Sequence, residues 1–358
     1  MIAPLTIFLL FEGTDNNIHL EKGIGWPSFG ILNGETMITT YKKDYLEGII
    51  NLWNTAATRI GYKEFDMDSF TETIADSPYF NPEQAFVLLK EDEVAGFACG
   101  CMGEELPLGK TSGYVTCVIL KDEAETSENY QILLNMLEET FIQAGKTQSE
   151  VLFFNPMMLP WYIKNTDHHE HNNAPGVFKD SRFYEELLKN SYLLRATENA
   201  MYIDLSKFTI PQAITEKEAK AAKEGYEVCL FDTNKHHSVK QMLEKLDNPL
   251  WLSEITKCTE EGIPVVIAAK NGAVVGFAGP MIRQQNGRGY FTGIGVVKEH
   301  EGHGLGTVLF YKLCEEEKKV GAEYMSLYTG ADNPAGRIYS QAGFQTVQEF
   351  AVMRKMLK

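Results

Sequence analysis

Short apolar runs alternate with polar turns in two separate stretches of the chain. Residues 85–89 are apolar, 90–93 polar and 94–98 apolar again, which predicts strand, tight turn, strand. Residues 265–269, 270–272 and 274–278 repeat that pattern. The second strands match at four of five positions: Val94-Ala95-Gly96-Phe97-Ala98 and Val274-Val275-Gly276-Phe277-Ala278 stand 180 positions apart. Further on, Gly113-Tyr114 matches Gly289-Tyr290, and residues 131–145 match 307–321, both at an offset of 176. The latter stretches carry Ile132, Leu133, Met136 and Leu137, and Val308, Leu309 and Leu313, at the spacing of amphipathic helices. Helical sequence also precedes each hairpin, over 43–57 in the first stretch and over 236–246 and 252–258 in the second.

A shared order of strand, hairpin, strand and helix over about 150 residues indicates two copies of one α/β domain. The first is expected over residues 37–205 and the second over 226–358. Residues 206–225 between them are expected to form a helical linker, since 211–224 is rich in Lys, Glu and Ala. Residues 1–36 are expected to be an N-terminal extension. Its apolar run from Pro4 to Phe11 lacks a basic leader and is far too short to span a bilayer, and 12–36 shows no periodicity. Met37 opens a strand-like run and is a candidate natural start, the alternative being a loosely packed arm.

Charge divides the copies. Residues 1–225 hold 18 basic and 34 acidic side chains, and 226–358 hold 15 of each, which accounts for the net charge of −16. Such a chain is a poor partner for nucleic acid or an anionic membrane, while its second copy can take a polyanionic ligand. The six cysteines (Cys99, Cys101, Cys117, Cys229, Cys258 and Cys314) form no C-x-x-C pair and predict free thiols in a reducing, cytoplasmic setting.

The second copy carries the chemistry. After the strand expected over 290–297 comes Glu299-His300-Glu301-Gly302-His303-Gly304-Leu305-Gly306-Thr307, directly ahead of a helix. Three alternating glycines let backbone N–H groups converge, and the helix adds its own free N–H groups and the positive end of its dipole. This is an anion cradle suited to a pyrophosphate. It lacks the Lys of a G-x-x-x-x-G-K-[ST] loop. Downstream stands Asn333-Pro334-Ala335-Gly336-Arg337-Ile338-Tyr339-Ser340-Gln341-Ala342-Gly343-Phe344.

The order of Val296, Glu299, the G-x-G-x-G run, Asn333, Tyr339 and Gly343-Phe344 resembles the GCN5-related N-acetyltransferase (GNAT) superfamily, from about residue 226 to the end. The first copy resembles the same fold in degenerate form. The resemblance implies an α/β (α+β) fold of two tandem GNAT-like domains, each a mixed, mainly antiparallel sheet flanked by helices. It implies acetyl-CoA as acyl donor. Main-chain groups near Val296 and Val297 would pair with its pantetheine arm. Glu301, Gly302, His303, Gly304, Leu305, Gly306 and Thr307 would hold its pyrophosphate, and Asn333 would contact the cofactor. Tyr339 would act as the general acid. The family usually has Arg or Gln where this chain has Glu301. It transfers acetyl directly, so Cys314 is read as a packing residue.

The general base is not legible: residues 291–294 hold no carboxylate, and Glu299, His300, His303 and Asp332 are nearby candidates. The first copy's loop at 121–130 has no glycine and four carboxylates, and Leu187 and Ser191 replace the tyrosine and glycine, so that copy is not expected to bind acetyl-CoA. His168-His169-Glu170-His171 lacks metal-ligand spacing and reads as a solvated or substrate-facing loop. His236-His237 reads as a helix start. No metal is expected. The resulting expectation is an acetyl-CoA-dependent N-acetyltransferase acting on a small, cationic amine, without nucleic acid or membrane partners. The alternative is a non-catalytic acyl-CoA-binding or regulatory module. A Fem-type aminoacyl ligase also has two such folds, but those relatives typically lack the glycine run.

Overall fold

The computed structural model describes residues 31–32 and 36–358, so the expected N-terminal extension lies almost wholly outside the described residues. The chain divides into an N-terminal unit, residues 36–199 with 348–358, and a C-terminal unit, residues 200–347.

In the N-terminal unit, β1 (Thr36–Thr40) is followed by helical turns that include α1 (Leu46–Leu52). Then come β2 (Ala85–Lys90), β3 (Glu93–Cys101), β4 (Ser112–Leu120), α2 (Ser127–Gln143), β5 (Gln148–Val151) and α3 (Arg182–Lys189). Strands β1 to β4 pair antiparallel in sequence order, and β5 adds parallel to β4 across α2. Strand β6 (Leu193–Asp204) leads into the C-terminal unit.

The C-terminal unit repeats the order. Helix α4 (Gln212–Lys223) precedes β7 (Tyr226–Leu230), α5 (Val239–Lys245), α6 (Pro249–Glu261), β8 (Val266–Lys270) and β9 (Ala273–Gly279). Then follow β10 (Arg288–Tyr290), β11 (Gly293–Val296), α7 (Leu305–Lys319), β12 (Tyr324–Gly330), α8 (Gly336–Gln341) and β13 (Gln345–Met356). The hairpins agree in register: Leu89 faces Val94 with a bulge before it, and Ala269 faces Val274 with a bulge before it. The parallel pairs agree too, Ser112 with Gln148 and Arg288 with Tyr324.

Three boundaries differ from expectation. The end of the second copy lies in the N-terminal unit, where Met353–Met356 pair with Gln148–Val151. Ala351 and Met353 are buried in that unit's core, and the Phe350 ring packs edge-on against Trp161 and tilted against Phe178, so apolar burial fixes residues 348–358 there. The expected linker helix is α4, and it is part of the C-terminal unit because Ile214 and Ala221 join that unit's core. The strand expected over 290–297 is broken at Phe291-Thr292, since β10 pairs with β12 and β11 with β9.

Candidate functional site

The break after Tyr290 creates the site. Strands β10 and β12 pair in parallel only at Arg288–Tyr324 and Gly289–Met325. Beyond those residues the chain continues as β11 on one side and the rest of β12 on the other, and the two are not paired. A wedge opens between them. Val297 N–H donates to Val275 O at 2.9 Å, so by the alternation of an antiparallel pair Val296 and Ile294 turn their N–H and C=O groups away from β9, toward the wedge. Val296 therefore offers a free main-chain edge, whereas the Val297 amide is committed to the sheet.

At the mouth of the wedge, residues 301–304 form the turn into α7. Gly302 and Gly304 have φ of +82° and +77°, which glycine adopts without penalty, and Gly304 caps α7 in the left-handed region. No side chain caps the helix. Among the described residues, none of the backbone N–H groups of 302–307 has a protein acceptor. Helix N-termini normally satisfy such donors with a capping side chain. A Cβ built on Gly302 or Gly306 would meet nothing within 4 Å, so the space in front of these donors is open. The residues fit a polyphosphate ligand. Leu305 is buried beneath the loop, Thr307 is half-buried, and Glu301 is exposed.

Asn333 and Tyr339 follow β12. The Asn333 side chain accepts the Ala335 N–H at 3.0 Å and shapes the turn into α8. The Tyr339 ring is buried against Phe310 and Phe344, with centroids 4.8 and 6.4 Å away. Among the described residues no group hydrogen-bonds its hydroxyl, and burial pushes its pKa up to about 12.

The nearby base candidates are otherwise engaged. Glu299 pairs with Lys245 at 2.9 Å, which holds its carboxyl below the usual range. His300 Nδ1 meets Tyr226 Oη at 2.9 Å, and desolvation with the nearby Lys270 lowers its pKa. His303 bonds Glu224, and Asp332 is exposed. A carboxylate the sequence did not point to lies at the apex of the wedge. Tyr290, the first residue after the parallel pairing ends, donates its hydroxyl to Glu254 Oε1 of α6 at 3.0 Å. Glu254 Oε2 is buried with no partner, as is Trp251 Nε1, one turn back on α6 and packed over Gly293. Burial, then the Glu254 charge, raises the Tyr290 pKa. The signal in sequence is slight: residues 251 and 254 share a helix face, but nothing ties them to Tyr290.

In the N-terminal unit the corresponding helix end is closed. Thr126 caps α2 by accepting from Asn129 N at 3.2 Å, Asn129 Nδ2 donates to Ala124 O, and Leu187 is fully buried. His171 packs on Trp161 and His168 on Tyr162. Among the described residues, Glu227, Cys229 and His236 could surround a cation. However, His236 Nδ1 accepts the Asp232 N–H at 2.9 Å, which leaves the ring proton on Nε2, shared with Glu227 at 3.3 Å. A metal ligand would need the opposite tautomer. Cys314 is buried in α7, which raises its pKa well above the ordinary value. A cavity of about 330 Å³ lined by Tyr202, Phe208, Tyr311 and Gly343 includes no residue of the wedge or glycine loop.

A sheet parted beside an uncapped glycine loop, in this element order, is the layout of the GNAT fold. Residues 230–344, within the C-terminal unit, match the model of the acetyltransferase (GNAT) family. Similarity of fold extends further. A GCN5-related N-acetyltransferase from Sphaerobacter thermophilus aligns over 92% of this chain and 98% of its own, at 14% identity and a TM-score of 0.60. A tandem GNAT protein from the clavulanic acid biosynthesis pathway aligns over 90% of this chain and 99% of its own, at 11% identity and a TM-score of 0.53. A glucosamine N-acetyltransferase region of a fungal multi-domain GH3 β-N-acetylglucosaminidase aligns over 89% of this chain and 38% of its own, at 13% identity and a TM-score of 0.61. The chain thus has a tandem GNAT fold, with the family's sequence pattern in its C-terminal copy. No curated protein matches the sequence.

Proposed function

We propose that the protein is an acetyl-CoA-dependent N-acetyltransferase whose C-terminal unit alone binds the donor, and whose acceptor is a small cationic amine. One observation carries this reading: the unpartnered N–H run of residues 302–307 at the mouth of the parted strands. Those groups would hold the pyrophosphate, the free edge of Val296 the pantetheine arm, and Asn333 the cofactor beside α8. Bound acetyl-CoA supplies an activated thioester carbonyl.

The chain's own residues supply two proton movements. An alkyl ammonium has a pKa near 10.4, so about one amine in 10³ is neutral at pH 7 and a base is needed. Glu254 takes that role, receiving the proton through Tyr290 as Tyr290 accepts the one leaving the amine. Both groups fit a cation: Glu254 is a carboxylate whose second oxygen lacks a partner. Tyr339 donates its hydroxyl hydrogen to the departing sulfur. A hydroxyl near pKa 12 is protonated at every working pH. Full transfer to a thiolate of pKa about 8.5 is uphill by about 5 kcal/mol, so Tyr339 acts as a hydrogen-bond donor before water completes the protonation. Among the described residues no helix is long and apolar enough to cross a membrane, and the six cysteines are free, which supports a cytoplasmic site of action.

The test is release of free thiol from acetyl-CoA with spermidine, glucosamine, tyramine and a peptide with a free N-terminus, each product checked by mass. Amine-dependent release supports the proposal. Donor binding without release from any of them favours an acyl-CoA-binding module.

A further inference from the structure

Helix α4 precedes the residues that match the GNAT family, yet it holds the glycine loop at two successive positions. Directly after it, Glu224 bonds Nδ1 of His303. Within it, the Lys217 side chain crosses Gly304: a Cβ built on that glycine would lie 2.7 Å from Lys217 Cδ, 2.9 Å from Cγ and 3.6 Å from Cε. Any side chain at 304 would displace the lysine stem. Ile214 and Ala221, both buried in the unit's core, fix α4 in this place.

The ammonium of Lys217 has no ion-pair or hydrogen-bond partner among the described residues, although its helix offers Glu216 and Glu218 and its side chain is half-buried. Its stem lies on the N-cap of α7, the positive end of a helix dipole. A lysine on this stem and the dipole end carry charge of the same sign, and an anion held between them would be attracted by both. The N–H donors of residues 302–307, which belong to the same loop, have no protein acceptor among the described residues. Glu301, exposed beside them, makes the loop less cationic than its backbone alone.

We propose that Lys217 is a phosphate-binding residue of the acyl-CoA site, contributed by a helix outside the family-matched residues, and that its charge offsets Glu301. The inference rests on the acyl-CoA reading of the C-terminal unit. Lysine acts here as a point charge on a flexible stem that reaches over the loop.

Calorimetric titration of acetyl-CoA into the full chain tests it, with wild type, Lys217→Met and Lys217→Arg compared at about 50 mM and about 300 mM NaCl. Methionine keeps the packing on Gly304 and removes the charge. The expected result is an affinity about tenfold weaker for Lys217→Met at low salt, a smaller gap at high salt, and near-complete recovery in Lys217→Arg. Equal affinity and equal salt dependence in wild type and Lys217→Met would overturn the role of Lys217 and leave the acyl-CoA reading intact. No binding by the wild type would overturn that reading itself, and this inference with it.

Discussion

Replacing Tyr339 with phenylalanine separates chemistry from packing. The ring is 8% exposed and lies against Phe310 and Phe344, and phenylalanine keeps those contacts. The hydroxyl has no partner among the described residues, so its removal leaves no buried donor or acceptor there unsatisfied. Folding stability should change by no more than about 0.5 kcal/mol. Tyr339→Ala, which empties the space among the aromatics, should cost about 3–5 kcal/mol. Donor binding should also survive in Tyr339→Phe, because the cradle is main chain. Turnover should not: losing a positioned proton donor costs about 10²-fold in kcat, or about 2.7 kcal/mol of transition-state stabilisation. Thermal unfolding, acetyl-CoA calorimetry and amine-dependent thiol release read the three quantities. Wild-type turnover in the phenylalanine variant would refute the donor role. Unfolding several degrees below wild type would refute the claim that the hydroxyl is structurally idle.

Glu254→Gln should lower kcat/KM about 10²-fold while acetyl-CoA affinity stays unchanged; wild-type turnover in the variant would exclude Glu254 as base. Glu317 of α7 is fully buried, and burial raises its carboxyl pKa to about 8 despite the Ile282 N–H and Arg288 nearby. The folded state therefore holds a proton that the unfolded state, with a pKa near 4.3, has released. Stability from this group is complete below about pH 4 and is lost as pH rises toward about 8, by at most about 5 kcal/mol. Glu317→Gln should flatten that decline and melt above wild type at pH 8.5 or so; a lower melting temperature there would show that Glu317 is ionised in the fold.

Much of this fold is legible from one internal comparison. The 180-residue offset between Val94 and Val274 sets two hairpins with the same pairing and the same bulge, and the 176-residue offset reproduces the parallel register of β4–β5 in β10–β12. The change of offset accommodates loops of different length between equivalent strands. The glycine loop was legible because Gly302 and Gly304 need positive φ and the helix needs an uncapped start. The break at Phe291-Thr292 was not, because residues 290–297 are apolar or glycine apart from Thr292, which strands accommodate, and only pairing partners divide them. Val297 could not be told from Val296, since the two differ only in which way an amide points. Glu254 and Lys217 stayed hidden because each stands far in sequence from the glycine loop, and charged positions on helices usually face solvent. Residues 348–358 were assigned to their nearest neighbours in sequence, whereas Phe350, Ala351 and Met353 are buried in the N-terminal unit.

The most direct measurement is calorimetry of acetyl-CoA with the wild type and Gly304→Glu. At φ +77° a side chain costs about 1 kcal/mol of backbone strain, and the glutamate also displaces Lys217 and sets a carboxylate in the cradle. Binding near one per chain, lost in the variant, is the expected result. No binding by the wild type, or binding that Gly304→Glu leaves untouched, would contradict an acyl-CoA site at residues 302–307.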